Sequence, residues 1–90
     1  MAAFATLQQA SQADGALSAK VKELMALAIG IAVHCEGCVT YHVHGALDAG
    51  ASPQEVAETV GVAVMMGGGP SVVYGAEALE ALAQFQEAAT

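Results

Sequence analysis

Residues 23–42 read ELMALAIGIAVHCEGCVTYH, and their pattern decides the fold. Leu24 to Val33 carries no polar side chain, and nothing in it alternates with a period of two. Its spacing is helical, and apolar residues all round predict a helix buried on every side. His34 marks a very short turn, after which Cys35 starts a second helix that carries Cys38 and His42. Two helices joined so tightly form an antiparallel hairpin.

Working outward, Ser18 can cap the apolar helix, which then runs to about Val33. Before it, a helix from about Ala3 to Ala13 places Phe4, Leu7 and Ala10 on one face, and Asp14-Gly15 ends it. The cysteine-bearing helix stops at Gly50, a favourable residue just past a helix end. Ser52-Pro53-Gln54-Glu55 then reads as a capping box with proline in the first turn. That fourth helix runs to about Met66, with Met65 and Met66 expected in the core, and Gly67–Pro70 breaks it. A fifth spans about Ser71 to Glu87, with Val72, Val73, Ala76, Leu79, Leu82 and Phe85 expected to face inward. No linker or repeat interrupts the chain, so the expectation is one domain over residues 1–90, an all-α bundle of about five helices.

Composition adds an assembly expectation. Of the 90 residues 56% are hydrophobic and 12% charged, half the usual charged share of about 25%. A chain this short cannot hide that much apolar surface within itself, which predicts a homo-oligomer. Lys20 and Lys22 are the only basic residues besides histidine, and the net charge is −7. Without a basic stripe, binding of nucleic acid or of anionic membranes is excluded. The longest uncharged run, Thr59–Ala76, is split by Gly67-Gly68-Gly69-Pro70 into halves too short to span a bilayer, which takes ~20 residues. No basic region precedes an apolar N-terminal segment, so no secretory signal is expected and the protein is placed in the cytoplasm.

Chemistry concentrates on the hairpin. With Cys35 as the zero of a helical wheel at ~100° per residue, Cys38 falls near ~300° and His42 near ~340°. An imidazole nitrogen can therefore reach the Cys38 sulfur, while His44, near ~180°, points elsewhere. Cys35 lies at a helix start, where free N–H groups and the helix dipole favour a thiolate. Glu23 lies about ten residues before the turn and His42 about seven after it, so their heights differ by about 5 Å. A carboxylate opening so apolar a helix needs a partner, and His42 is the natural one. A Glu23–His42–Cys38 array would orient the ring to take a thiol proton. His34 and His44 read as structural or surface residues, and Tyr41 and Tyr74 as packing or oligomer contacts.

Glu23, Cys35-Glu36-Gly37-Cys38 and His42, with Ala49-Gly50-Ala51-Ser52 before a capped helix, resemble the signature of AhpD-like alkylhydroperoxidases in the carboxymuconolactone decarboxylase superfamily. The similarity covers about Leu17 to Leu82. It implies an all-α fold, trimers or hexamers, and thiol peroxidase or disulfide reductase activity without a bound cofactor. Substrates would be a hydroperoxide or a small disulfide, and the reductant a dithiol of lipoyl or thioredoxin type. Cys38 would attack the peroxide and Cys35 close the disulfide; the reverse order stays open, because the first cysteine of a CxxC is usually the more exposed. Gly37 departs from the best-described AhpD-type sites, which carry a histidine there, so the proton relay is shorter. Two other readings of the same residues are a zinc site made by Cys35, Cys38, His42 and Glu23, and a non-enzymatic oligomeric scaffold that retains a redox pair.

Overall fold

The computed structural model describes residues 2–89. Five helices follow in order: α1 (Ala2–Gln12), α2 (Ala19–Ala32), α3 (Glu36–Asp48), α4 (Pro53–Gly67) and α5 (Ser71–Ala89). Among the described residues there is no strand, and no helix is long and apolar enough to cross a membrane.

The ends of the helices follow from their sequences. Ser18 Oγ accepts from the Val21 N–H at the start of α2. At α4 both halves of the capping box form, the Glu55 N–H donating to Ser52 Oγ and the Ser52 N–H to Glu55 Oε1. Two helices close with the same turn. After α3, the Gly50 N–H donates to the Leu47 carbonyl and the Ala51 N–H to the Ala46 carbonyl, with Gly50 at φ 99°. After α2, the His34 N–H reaches the Ile31 carbonyl and the Cys35 N–H the Gly30 carbonyl, with His34 at φ 62°. Both are Schellman turns. In the second, a left-handed residue that is not glycine occupies the pivot, a conformation costing about 1–2 kcal/mol.

α2 is the centre of the bundle. It pairs antiparallel with α3, Gly30 lying against Cys38 and Glu23 against Gly45. It runs alongside α4 in the same direction, from the Lys20–Glu55 ion pair at 2.9 Å to the approach of Gly67 on Ala32. α5 closes the other side, its Gly75 against Val60 and Val64. Leu27, Ile31, Val39, Val43 and Val56 are fully buried at the common core.

Three expectations about burial fail in the isolated chain. α2 is not buried on every side, since Met25 and Ile29 are exposed, as is Val33 just past its end. Met65 and Met66 lie outside the core, Met66 being 75% exposed. On α5 the inward residues are Ser71, Gly75, Ala78, Ala81 and Leu82, with Phe85 half-buried, whereas Val72, Val73, Ala76 and Leu79 face out. Small residues face in because α5 lies close against α4, where a side chain on Gly75 would collide with Val64. Val72, Val73 and Leu79 are left on the outer face, while Leu82 stays in the core as expected.

Candidate active site at the α2–α3 hairpin

The turn that ends α2 also begins α3. Cys35 is the last residue of the Schellman turn and the N-cap of α3, its Sγ accepting from the Cys38 N–H at 3.3 Å. Its position is set from both sides, and His34 is pinned in turn. The His34 ring stacks on Tyr74 with centroids 4.7 Å apart, and its Nε2 lies 3.4 Å from the Oγ of the buried Ser71. Cys35 and Cys38 are joined by a disulfide, with Cα atoms 5.2 Å apart. Opposite them, a side chain on Gly30 would begin 3.2 Å from the Cys38 Cβ, so glycine there allows α2 to approach the redox turn closely.

One turn along α3, His42 Nδ1 lies 2.9 Å from Glu23 Oε1, and the two side chains are only 15% and 14% exposed. An ionised carboxylate can only accept, so this pairing puts the ring hydrogen on Nδ1 and leaves Nε2 as the basic nitrogen. The Tyr41 ring stands edge-on to the imidazole at 5.1 Å. Of the four residues expected from the sequence, the structure joins Cys35 to Cys38, pairs Glu23 with His42, and sets Cys38 and His42 on one cleft. His44 lies apart, 3.5 Å from Asp48 and against Phe85.

Two residues of the site were missed. Gln12 Nε2 donates to the same Glu23 Oε1 at 2.8 Å, from a helix whose docking nothing in the sequence announces. Gly45 leaves the space that the Glu23 carboxylate fills, since a side chain at that position would overlap it. Gly45 did leave a signal: it lies three residues past His42 on the same face, and a glycine inside a helix costs about 1 kcal/mol relative to alanine.

Cys38 and His42 open onto a cleft of about 540 Å³ bounded by Phe4, Leu7, Ala26 and Tyr41, and Cys35 does not line it. A smaller opening of about 350 Å³, lined by Gln8, Gln9, Gln12 and Tyr41, reaches Glu23. The four ligands of the alternative zinc reading do not converge. The two sulfurs are bonded to each other and Glu23 engages Nδ1 and Gln12. Among the described residues no three His, Cys, Asp or Glu side chains are placed to hold a metal ion.

An all-α bundle with a CxxC at the head of one helix and a Glu–His pair beside it defines an AhpD-like protein. Residues 1–81 match the model of the carboxymuconolactone decarboxylase family, and the chain belongs to that family. An uncharacterised protein of Cupriavidus necator is 39% identical over 79 residues, covering 88% of this chain and 70% of the relative. A carboxymuconolactone decarboxylase family protein from Legionella pneumophila superposes with a TM-score of 0.89 at 48% identity, over 94% of this chain and 76% of the other. One from Thermotoga maritima, for which a part in an antioxidative response has been suggested, gives 0.90 at 30% identity, over 96% and 89%.

Proposed function

We propose that the protein is a thiol-dependent hydroperoxidase of the cytoplasm, working through a Cys38–Cys35 dithiol cycle. The observation that carries this is the placement of Cys38 and His42, without Cys35, on the wall of the cleft. With Nδ1 held by Glu23, Nε2 of His42 takes the Cys38 thiol proton. The thiolate attacks the terminal peroxide oxygen, an S–O bond forms and the O–O bond breaks. The leaving alkoxide takes the proton back from His42 and departs as an alcohol, leaving Cys38 as a sulfenic acid. Cys35 then attacks the Cys38 sulfur; an S–S bond forms, the S–O bond breaks, and the hydroxyl leaves with the Cys35 proton as water. An external dithiol of lipoyl or thioredoxin type restores both thiols by two exchange steps. The sum is hydroperoxide plus dithiol giving alcohol, water and disulfide.

Reduced protein given one equivalent of cumene hydroperoxide is expected to lose two hydrogens by mass spectrometry and to turn over when dithiothreitol is supplied. Cys38→Ser is expected to abolish consumption, and Cys35→Ser to stop at a sulfenic acid that dimedone traps. Wild-type consumption no faster than that of Cys38→Ser refutes the enzymatic reading.

A further inference from the structure

α1 is the least anchored element of the fold and yet forms one side of the active-site cleft. None of its residues is buried. At 11 residues it is shorter than the ~12–15 at which isolated helices become stable in water, so its helicity depends on what holds it. Among the described residues its side-chain tethers to the bundle are polar. Gln12 Nε2 donates to Glu23 Oε1 at 2.8 Å, and Gln8 Nε2 to the Tyr41 hydroxyl at 3.3 Å. Just past its end, Lys22 Nζ donates to the Ala13 carbonyl at 2.7 Å.

Phe4 and Leu7 stand on the cleft side of this helix, 61% and 60% exposed, facing Ala26 and Cys38 across the gap. An apolar group seated between them is covered from both sides and covers them in return, whereas hydrogen peroxide gains nothing from that wall. No lysine lines the cleft, and Glu23 lies directly behind His42, so a neutral organic group fits and a carboxylate-bearing one is disfavoured. The tether matters to the chemistry as well, because Gln12 and His42 share one oxygen of Glu23. The substrate wall and the proton relay meet at a single atom.

We propose, resting on the thiol chemistry set out above, that α1 is the substrate-selecting wall of the site. Phe4 and Leu7 determine preference for a neutral apolar organic group, and Gln12 is the positioning residue that fixes the wall to Glu23. An occupied cleft holds α1 down, and a docked α1 keeps the Gln12–Glu23–His42 array assembled.

The test uses the reduced protein and two thiol reagents, N-phenylmaleimide and iodoacetamide, with the adduct assigned to Cys38 by peptide mapping. Because alkylation needs no peroxide, it reads the wall separately from turnover; if wild type labels as expected but consumes no hydroperoxide, the peroxidase reading alone falls. Phe4→Ala/Leu7→Ala is expected to lower the preference for N-phenylmaleimide over iodoacetamide at least fivefold, with little change in the iodoacetamide rate. Gln12→Glu is nearly isosteric but sets carboxylate against carboxylate. It is expected to lower the same preference and to speed amide hydrogen exchange across α1 at least tenfold. Gln12→Lys, which keeps a donor, is expected to retain the protection. An unchanged preference in the double variant overturns the specificity assignment. Unchanged α1 exchange in Gln12→Glu, or equal loss of protection in Gln12→Lys, overturns the positioning role.

Discussion

At Gly45 a single hydrogen atom decides whether Glu23 can sit where His42 needs it. The space beside this glycine is occupied by the Glu23 carboxylate, the far end of a flexible side chain that can swing away. Gly45→Ala should therefore leave the bundle folded, since alanine gains about 1 kcal/mol of helix propensity to offset the lost hydrogen bonds. The Glu23–His42 pair is lost, and cysteine-dependent peroxide turnover should fall about 10²-fold, the lower end for loss of positioned acid–base help. Glu23→Ala should show the same loss, and the double variant no more than either alone, because both remove one interaction. Thermal melts and steady-state rates on the three variants check this; additive losses would show that Gly45 acts elsewhere. His34 teaches the same lesson from another side. The sequence reads it as a structural or surface residue, and its job is specific: it is the left-handed pivot through which α2 hands the chain to Cys35.

The element with the clearest sequence signature is the start of α4, and it stabilises the bundle without touching the site. Ser52→Ala removes an N-cap worth about 1 kcal/mol. The melting temperature should drop by roughly 4–8 °C for a domain of this size, with peroxide turnover at 25 °C unchanged. The partner residue gives this cap a pH dependence. The Glu55 carboxyl is held below its ordinary value of 4.5, first by the hydrogen bond from the Ser52 backbone and then by Lys20. A carboxyl lowered on folding contributes stability that is complete above its unfolded value and lost as pH falls through the folded one. Denaturation of Glu55→Gln should thus show a deficit at pH 7 that shrinks as pH falls below 4.5. A deficit independent of pH would mean that the carboxylate's charge has no part in the cap.

For the whole molecule, the apolar excess remains to be covered. The chain exposes 5413 Å², against roughly 4,900 Å² for a typical monomer of this mass. The surplus is organised: Met25 and Ile29 on α2 form a stripe with Val33 just past its end, and Val62, Met65, Met66, Val72 and Val73 lie on either side of the α4–α5 loop. We propose that further copies of this chain cover these faces. Val72→Lys, on the exposed face, should reduce the sedimenting species to the 9.0 kDa chain without unfolding it. Val64 is unsuitable for the same purpose, because it is half-buried against Gly75, and Val64→Lys should unfold the chain. A wild-type protein that sediments at 9.0 kDa leaves the exposed stripes without this explanation.

Local signals carried through to the structure wherever one helix or one tight turn was enough to express them. The Ser52–Glu55 cap, the Gly50 terminus, the hairpin pivot beside Cys35 and the Cys38–His42 spacing all depend on residues within one or two turns of each other. The Glu23–His42 contact was legible too, because a very short link leaves an antiparallel pair only one register. Which apolar faces are buried was not legible. Leu24–Val33 is apolar all round, and a helical pattern with no polar face cannot say which side meets the neighbours. On α5 the close approach of α4 turned Gly75 inward and left Val72, Val73 and Leu79 outward, against the order that hydrophobicity alone predicts. The docking of α1 was equally hidden, since it rests on Gln12 and Gln8 reaching residues 11 and 33 positions away. Long-range polar tethers and close backbone approaches leave no periodicity in a sequence, so only the packed bundle could assign Gln12, Gly45 and the cleft wall.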